Sequence, residues 1–333
     1  MRRGSIFRIS LYGLAAAGAV TLVAVLIKWL PTSGSRQMDR ITFVYWFATA
    51  ICIGIFGVVA GVIIYSVMHF RVQPGDDSDG PPIHGHTGIE IAWTVVPGIL
   101  VIAIGIVSAI VLSQNGRAGT NPLHVKVFAQ QFAWRFEYPD DKGVKSTELV
   151  VPIHRNIRFD LNAADVIHSF WVPEWGQKQD AVPGIHTHVI VTPTRLGSFT
   201  LICTELCGLG HATMRAPVRV VSAADFATWV KEQASGGGGG NSGAAAFSTS
   251  GCGSCHTFKP ASSTGKIGPD LDHLAADAQK AGKPLATYVK ESIVNPEAYI
   301  VPGYQKGVMP TTFGQSLSAP QIDALITYLT GSK

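Results

Sequence analysis

Residues 203–214 read CTELCGLGHATM, bringing two thiols, an imidazole, a thioether and a carboxylate into one short stretch of a 333-residue chain that has only five Cys and five Met. Soft sulfur and imidazole at this density point to a metal. With one distant histidine, Cys203, Cys207 and His211 would satisfy a Cys2His2 zinc site. Two features favour copper: Met214 adds a thioether that zinc rarely takes, and DVIHSF at 165–170 supplies His168 from a separate segment. A single blue copper takes one thiolate, two imidazoles and a weak axial Met. Two thiolates suit two coppers that share both sulfurs, each with its own histidine.

The segments around this loop decide what carries it. From Asn121 onward, LHVKVFAQQF, NIRFDLN, HTHVIVTP, GSFTLIC and APVRVV alternate apolar and polar residues and are separated by Gly, Pro and Asp. Period-two alternation in short runs predicts half-buried strands, here a small antiparallel sandwich of Greek-key type ending near Ser222. A helix is expected around Ala224–Gln233. The run ASGGGGGNSGAAA at 234–246 then reads as a flexible tether. About fifteen such residues give an r.m.s. reach of about 20 Å, which holds the C-terminal segment near the sandwich at about millimolar effective concentration.

That C-terminal segment, 247–333, has helical patterning, with a last helix expected at Ala319–Leu329. It opens with Cys252-Gly-Ser-Cys255-His256. This is the attachment pattern of c-type haem, two thiols for the vinyl groups and the next imidazole for the iron. A redox dithiol, half a zinc site or a Cys252–Cys255 disulfide would share the spacing without using the histidine. Met309 in GVMP is the domain's one methionine and offers the thioether of electron-carrying haems. Pro269 in IGPDL lies where a proximal imidazole needs bracing.

The first third of the chain is different in kind. The whole chain is 47% hydrophobic and 14% charged, apolar for a soluble protein. Three runs, Phe7–Leu30, Ile41–Phe70 and Ile91–Leu112, are each long enough to cross a bilayer as helices. Arg2 and Arg3 before the first run, with Arg8 at its start, place the N-terminus in the cytoplasm. Three spans, or two after removal of residues 1–40 as a signal peptide with small residues near Ser33 and Ser35, both leave everything after Ser113 outside. The hairpin is then 41–113 and the metal-bearing sandwich 114–233. Gly57 and Gly61 form a small-xxx-small face for a neighbouring helix. Cys52 stands alone in an apolar run. The net charge of +4, with no basic-aromatic interleaving, excludes a nucleic-acid partner.

Taken together, DVIHSF, CTELCGLGHATM and CGSCH resemble subunit II of a haem-copper cytochrome c oxidase, in the caa-type variant with a cytochrome c fused at its C-terminus. The resemblance runs from about Ile41 to Lys333. It implies a multidomain membrane protein: transmembrane helices, a cupredoxin-like β-sandwich, then an all-α class I cytochrome c domain. It implies a dinuclear copper centre, CuA, held by His168, Cys203, Cys207, His211 and Met214. Glu205 would offer its backbone carbonyl to copper and its carboxylate to a magnesium ion at the boundary with subunit I. Covalent haem c would use Cys252, Cys255, His256 and Met309. Glu90, in GIEIAWTVVP, would sit at the mouth of a proton pathway into subunit I.

The implied role is relay: electrons from a cytochrome c or an upstream reductase reach haem c, then CuA, then subunit I, where oxygen is reduced to water with proton translocation. Partners are then subunits I and III and the lipid of a bacterial plasma membrane, with both metal domains on the extracytoplasmic side. Two departures from the family pattern stand out. A usual Gln-Trp-Tyr-Trp segment reads Gln131-Phe132-Ala133-Trp134, which leaves Trp134 as the aromatic on an electron path or as a core side chain. The Lys-x-Asp-Ala-x-Pro-Gly-Arg run is kept from Lys178 to Gly184 but ends in Ile185.

Overall fold

Apolar runs with few charges, those near their ends, make three long helices: α1 (Arg3–Leu26), α2 (Arg36–His69) and α3 (Thr87–Asn115). Each is long and apolar enough to cross a membrane. The computed structural model describes residues 3–331 except 73, 76–79, 81, 83, 235–241 and 312. Arg2, the last two residues and most of the expected tether lie outside that set. The helix α3 starts before its apolar run because a cap, not hydropathy, sets its end. His86 caps α3, its side chain accepting from the Ile89 N–H, and the Glu90 carboxylate accepts from the His86 N–H at 3.1 Å. At the other end of this unit, Arg40 donates to Asn115 Oδ1 at 3.1 Å.

The glycine face expected on α2 is used. A Cβ at Gly61 would lie 2.5 Å from the Ile9 carbonyl oxygen and 3.0 Å from Gly13 Cα, and one at Gly57 would lie 3.0 Å from Ala17 Cβ. Backbones of α1 and α2 therefore meet without side chains between them, the packing mode that helices use in lipid. Tyr65 donates to Ser5 across the same pair.

The second unit joins 33–37 to 117–331. Ten strands build its sandwich: β1 (Leu123–Gln130), β2 (Ala133–Tyr138), β3 (Val144–Ser146), β4 (Leu149–Pro152), β5 (Ile157–Ala163), β6 (His168–Trp171), β7 (Lys178–Ala181), β8 (Thr187–Val191), β9 (Gly197–Cys203) and β10 (Arg215–Val221). They form two sheets, β3-β2-β1-β5-β8 and β4-β10-β9-β6-β7. Leu123, Val125, Val127, Ile157, Phe159, Leu161, Val218 and Val220 point inward, as period two requires.

The sandwich is mixed, not purely antiparallel as the alternation suggested. β1 runs parallel to β5, and β4 parallel to β10. Alternation records which face is buried and is silent on strand direction. Direction follows from the chain passing through the second sheet at β4 before returning beside β1 as β5.

The helix α4 (Ala223–Ala234) covers one end with Phe226 and Trp229, which ring the buried Tyr138. The Tyr138 hydroxyl donates to the Val150 carbonyl and accepts from the Val150 N–H, both at 2.9 Å. Tyr138→Phe should leave both backbone groups buried and unpartnered, a loss of about 1–3 kcal/mol. The check is amide exchange at Val150, expected to quicken about tenfold or more.

The segment after α1 is also built into this unit. Gly34 N–H donates to the Glu174 carbonyl at 2.8 Å, Ser35 Oγ to the Trp175 carbonyl at 2.9 Å, and Thr192 N–H to Gln37 Oε1 at 2.9 Å. Ser35, in the small-residue stretch that resembles a cleavage site, is fully buried.

The last part is helical: α5 (Gly243–Thr249), α6 (Cys252–Cys255), α7 (Leu274–Lys280), α8 (Leu285–Val294), α9 (Phe313–Ser316) and α10 (Ala319–Gly331), with one two-residue ladder between β11 (Thr257–Phe258) and β12 (Ser263–Thr264). Residues 243–246, read in sequence as tether, are the first turn of α5. Ser242 caps it, accepting from the Ala245 N–H, and Ala246 and Phe247 enter the domain core.

Candidate metal centres

Three pieces of the second sheet converge at one end of the sandwich. His168 opens β6, Cys203 closes β9, and the loop to β10 brings Cys207, His211 and Met214 back over them. The sulfurs of Cys203 and Cys207 lie 3.8 Å apart, nearly twice a disulfide bond, and both thiols are free. His168 Nδ1 is 3.9 Å from Cys203 Sγ, His211 Nδ1 is 3.5 Å from Cys207 Sγ, and Met214 Sδ is 3.8 Å from Cys207 Sγ. Donor atoms of His168, Cys203 and Cys207 all fall within 4.8 Å of one another. The Glu205 carbonyl oxygen is 3.4 Å from Cys203 Sγ, while Glu205 as a whole is exposed.

The electrostatics call for a cation. Burial is the largest influence on Cys203 and opposes its ionisation, but hydrogen bonds with His168, the Ser169 and Glu205 backbone and Cys207 together outweigh it and lower the thiol below its usual range. Cys207 is driven the other way, by burial and then by the charge on Cys203. Two buried thiolates this close do not ionise together unless positive ions lie between them. Thiolates, imidazoles and a buried thioether form a soft set that fits copper, and Met214 is surplus to a zinc site.

Asp165, not assigned from sequence, organises the centre. Its Oδ1 is 2.8 Å from His168 Nε2 and its Oδ2 accepts from the Gln131 N–H at 2.7 Å. Burial disfavours charge on both partners of the Asp165–His168 pair. Their mutual hydrogen bond prevails only together with the Gln131 and Val166 N–H groups on the carboxyl and Cys203 on the imidazole, which hold the carboxyl below and the imidazole above their ordinary ranges. A carboxylate on the far nitrogen fixes the ring so that Nδ1 faces the sulfurs. An acid three residues before a candidate ligand is a readable signal once that ligand is suspected. Trp134, by contrast, is core: 1% exposed, edge-on to His168 at 6.2 Å and to Phe170 at 6.1 Å between ring centroids.

The second centre is an apolar cavity in the helical part, about 1240 Å³ with open solvent at its mouth included, bordered by Cys252, Cys255, His256, Met309 and Tyr299 among others. His256 Nδ1–H donates to the Pro269 carbonyl at 2.7 Å, which leaves Nε2 free to bind a metal. Gly268 seals the ring, since a Cβ there would lie 2.5 Å from His256 Cε1. Burial pushes the imidazole below its ordinary range and the Pro269 bond offsets only part, so the ring is neutral, as ligation requires. Burial and the neighbouring Cys255 push Cys252 up to about 12. An apolar cavity bordered by two thiols and a braced imidazole fits covalent haem.

Other sequence candidates lie elsewhere. Glu90 belongs to the first turn of α3 and is exposed there, as is Cys52 on α2. His186 and His188 are exposed about the start of β8, and Ile185 is 57% exposed.

A cupredoxin-like sandwich with a soft-donor loop, followed by a haem-attachment motif and preceded by membrane-spanning helices, defines a membrane-anchored protein with two candidate metal centres. The comparisons with known proteins narrow this class. Residues 23–111 match the transmembrane domain of cytochrome c oxidase subunit II, 144–222 its periplasmic domain, and 241–333 cytochrome c. The chain is 30% identical to cytochrome c oxidase subunit 2 of Thermostichus vulcanus over 67% of this chain and 85% of that one. It is also 30% identical to the protein of the same name from Alkalihalophilus pseudofirmus, over 83% of this chain and 82% of that one. Among solved structures, the periplasmic domain of subunit II of cytochrome oxidase from Bradyrhizobium japonicum is 32% identical, covering 36% of this chain and 99% of that one, at TM-score 0.35. The chain belongs to the cytochrome c oxidase subunit II family, in a form with a C-terminal cytochrome c domain.

Proposed function

We propose that this subunit receives electrons at haem c and passes them through CuA to subunit I of a proton-translocating oxidase in a bacterial plasma membrane. The observation that carries the reading is the pairing of Cys203 and Cys207 at 3.8 Å with an imidazole on either side and Met214 beneath. Bound there, a copper pair supplies a one-electron store shared by two ions, so that each bond to the protein changes little on reduction. The chain's own part is to hold those donors rigidly. Asp165 orients His168, and both cysteines and Met214 are almost fully buried. Rigid donors keep reorganisation on charge transfer small.

His256 and Met309 would hold the haem iron, and the Pro269 carbonyl raises the basicity of the imidazole. Glu205 would offer its backbone carbonyl, which lies 3.4 Å from Cys203 Sγ, to copper and its exposed carboxylate to a magnesium ion shared with subunit I. Glu90 is the proton-accepting group at the head of a pathway into that partner, with His86 beside it. Subunit III completes the assembly, and the donor is a cytochrome c or an upstream reductase. The first helix is retained as a third span, supported by its glycine contacts with α2 and by the hydrogen bonds made by 33–37.

The intact complex tests this reading. Metal analysis of this subunit separated from its partners should return about two coppers per covalent haem, and the complex should show a paramagnetic spectrum in which one unpaired electron is shared by both ions. On rapid mixing with a reduced donor, the haem band should change first and the copper band after it. Zinc in place of copper, or copper reduced ahead of haem, overturns the route.

A further inference from the structure

The turn between β1 and β2 meets the haem-attachment segment. Gly251, immediately before Cys252, has φ +69, and a Cβ on it would lie 2.9 Å from Ala133 Cβ and 3.5 Å from the Phe132 carbonyl oxygen. Gln131 and Phe132 border the same cavity as Cys252, Cys255 and His256. Cys255 itself packs against the core of the sandwich. On its other side Phe132 lies against the copper-loop backbone: a Cβ at Gly208 would meet its Cζ at 3.2 Å, and one at Gly210 its Cγ at 2.5 Å. The Gln131 side chain donates to the Cys207 carbonyl at 2.6 Å, and its backbone N–H to Asp165, the carboxylate that holds His168. One aromatic ring and one amide side chain thus touch both the haem cavity and the loop that carries Cys207.

From this juxtaposition we infer that Gln131-Phe132-Ala133 is a seat for the chain's own haem domain, closed by the small pair Ala133 and Gly251, and that the seat reserves the copper centre for that tethered donor. The inference rests on the haem-to-copper route proposed above and adds its point of contact. Small residues are needed on both sides. Left-handed backbone at Gly251 disfavours any side chain there, and the gap at Ala133 admits nothing larger than a methyl group. A tether holds its partner at about millimolar concentration, so a modest contact area is enough to keep the seat filled. While it is filled, Phe132 is 8% exposed and Ala133 6% exposed, too covered for a soluble cytochrome to reach.

The test uses the purified full complex with Ala133→Trp, and Ala133→Gly as the conservative control. Deuterium exchange is read on peptides spanning 130–134 and 250–256, and haem-to-copper electron transfer is read by rapid photoreduction. With Ala133→Trp, exchange in both peptides should rise about tenfold and transfer should slow about tenfold or more. Ala133→Gly should change neither. An unchanged copper absorption band in Ala133→Trp shows that the sandwich is folded. If that band is lost, Gly251→Ala, which touches no ligand of copper, replaces it with the same expectations. Normal exchange, or raised exchange with normal transfer, overturns the seat and leaves the route standing. Absence of haem-to-copper transfer in the unsubstituted complex overturns the route itself, whatever the exchange shows.

Discussion

Cys207→Ser is expected to empty the copper centre and to stop oxygen uptake while the haem stays attached and reducible. The serine hydroxyl is a harder and far less acidic donor than a thiol, and copper in this soft set depends on thiolate. The effect should exceed that of losing any single neutral ligand, because Cys207 touches three others. Cys203 Sγ, His211 Nδ1 and Met214 Sδ all lie within 3.8 Å of its sulfur. Oxygen uptake should fall about a hundredfold or more. Copper analysis, the visible band of the centre and haem reduction by ascorbate are read on one preparation. Turnover near the unsubstituted rate without copper would remove this loop from the electron path. The fold should survive, since Cys207 sits at the rim of a core dominated by Phe136, Phe159, Phe170, Trp134 and Trp175.

Both sets of candidate donors that the fold brings together are conspicuous in the chain, for different reasons. Haem attachment is local chemistry: thiols and imidazole within five positions form one turn of helix and the residue after it, so the motif is nearly its own structure. The candidate copper donors are spread from His168 to Met214, at the start of β6, the end of β9 and along the loop to β10, where alternation breaks off and soft ligands become conspicuous. Even the brace on His256 was legible, as Pro269 in IGPDL.

What escaped the sequence is what depends on partners far along the chain. The parallel pairing of β1 with β5 and of β4 with β10 leaves no trace in an apolar-polar pattern. Asp165 was visible within DVIHSF, but its double task, holding His168 and the Gln131 backbone, needs the β1–β2 turn folded against β6. Residues 243–246 have the small-residue composition of a tether, and helix α5 forms there because Ser242 caps it and Ala246 is buried by α10 and its neighbours. The Phe132 and Ala133 departures look in sequence like a lost aromatic; in the fold they face Gly251. Each case is one in which tertiary contact decides what local pattern leaves open.

The paired substitution Cys252→Ala and Cys255→Ala should have the opposite signature, haem lost and copper kept. Without thioether bonds the porphyrin is held only by axial ligation and burial, and denaturing gels should show no haem stain. The consequence for folding is larger than for a surface cofactor. Phe247, Leu274, Tyr288, Ile293, Phe313 and Leu325 belong to the core of this domain and also border the cavity. A core this small, wrapped around an empty slot, loses contacts on every wall, and the transfer and cavity terms add to several kcal/mol, about the whole stability of a domain of this size. Residues 242–331 should therefore become protease-sensitive while 117–234 stay resistant and retain the copper band. If haem-free protein stayed folded beyond residue 242, the pocket would have to be supported by the chain alone. If instead the copper band disappeared along with the haem, the contact through Phe132 and Ala133 would be needed to hold the copper loop together, a stronger coupling between the centres than their separate cores imply.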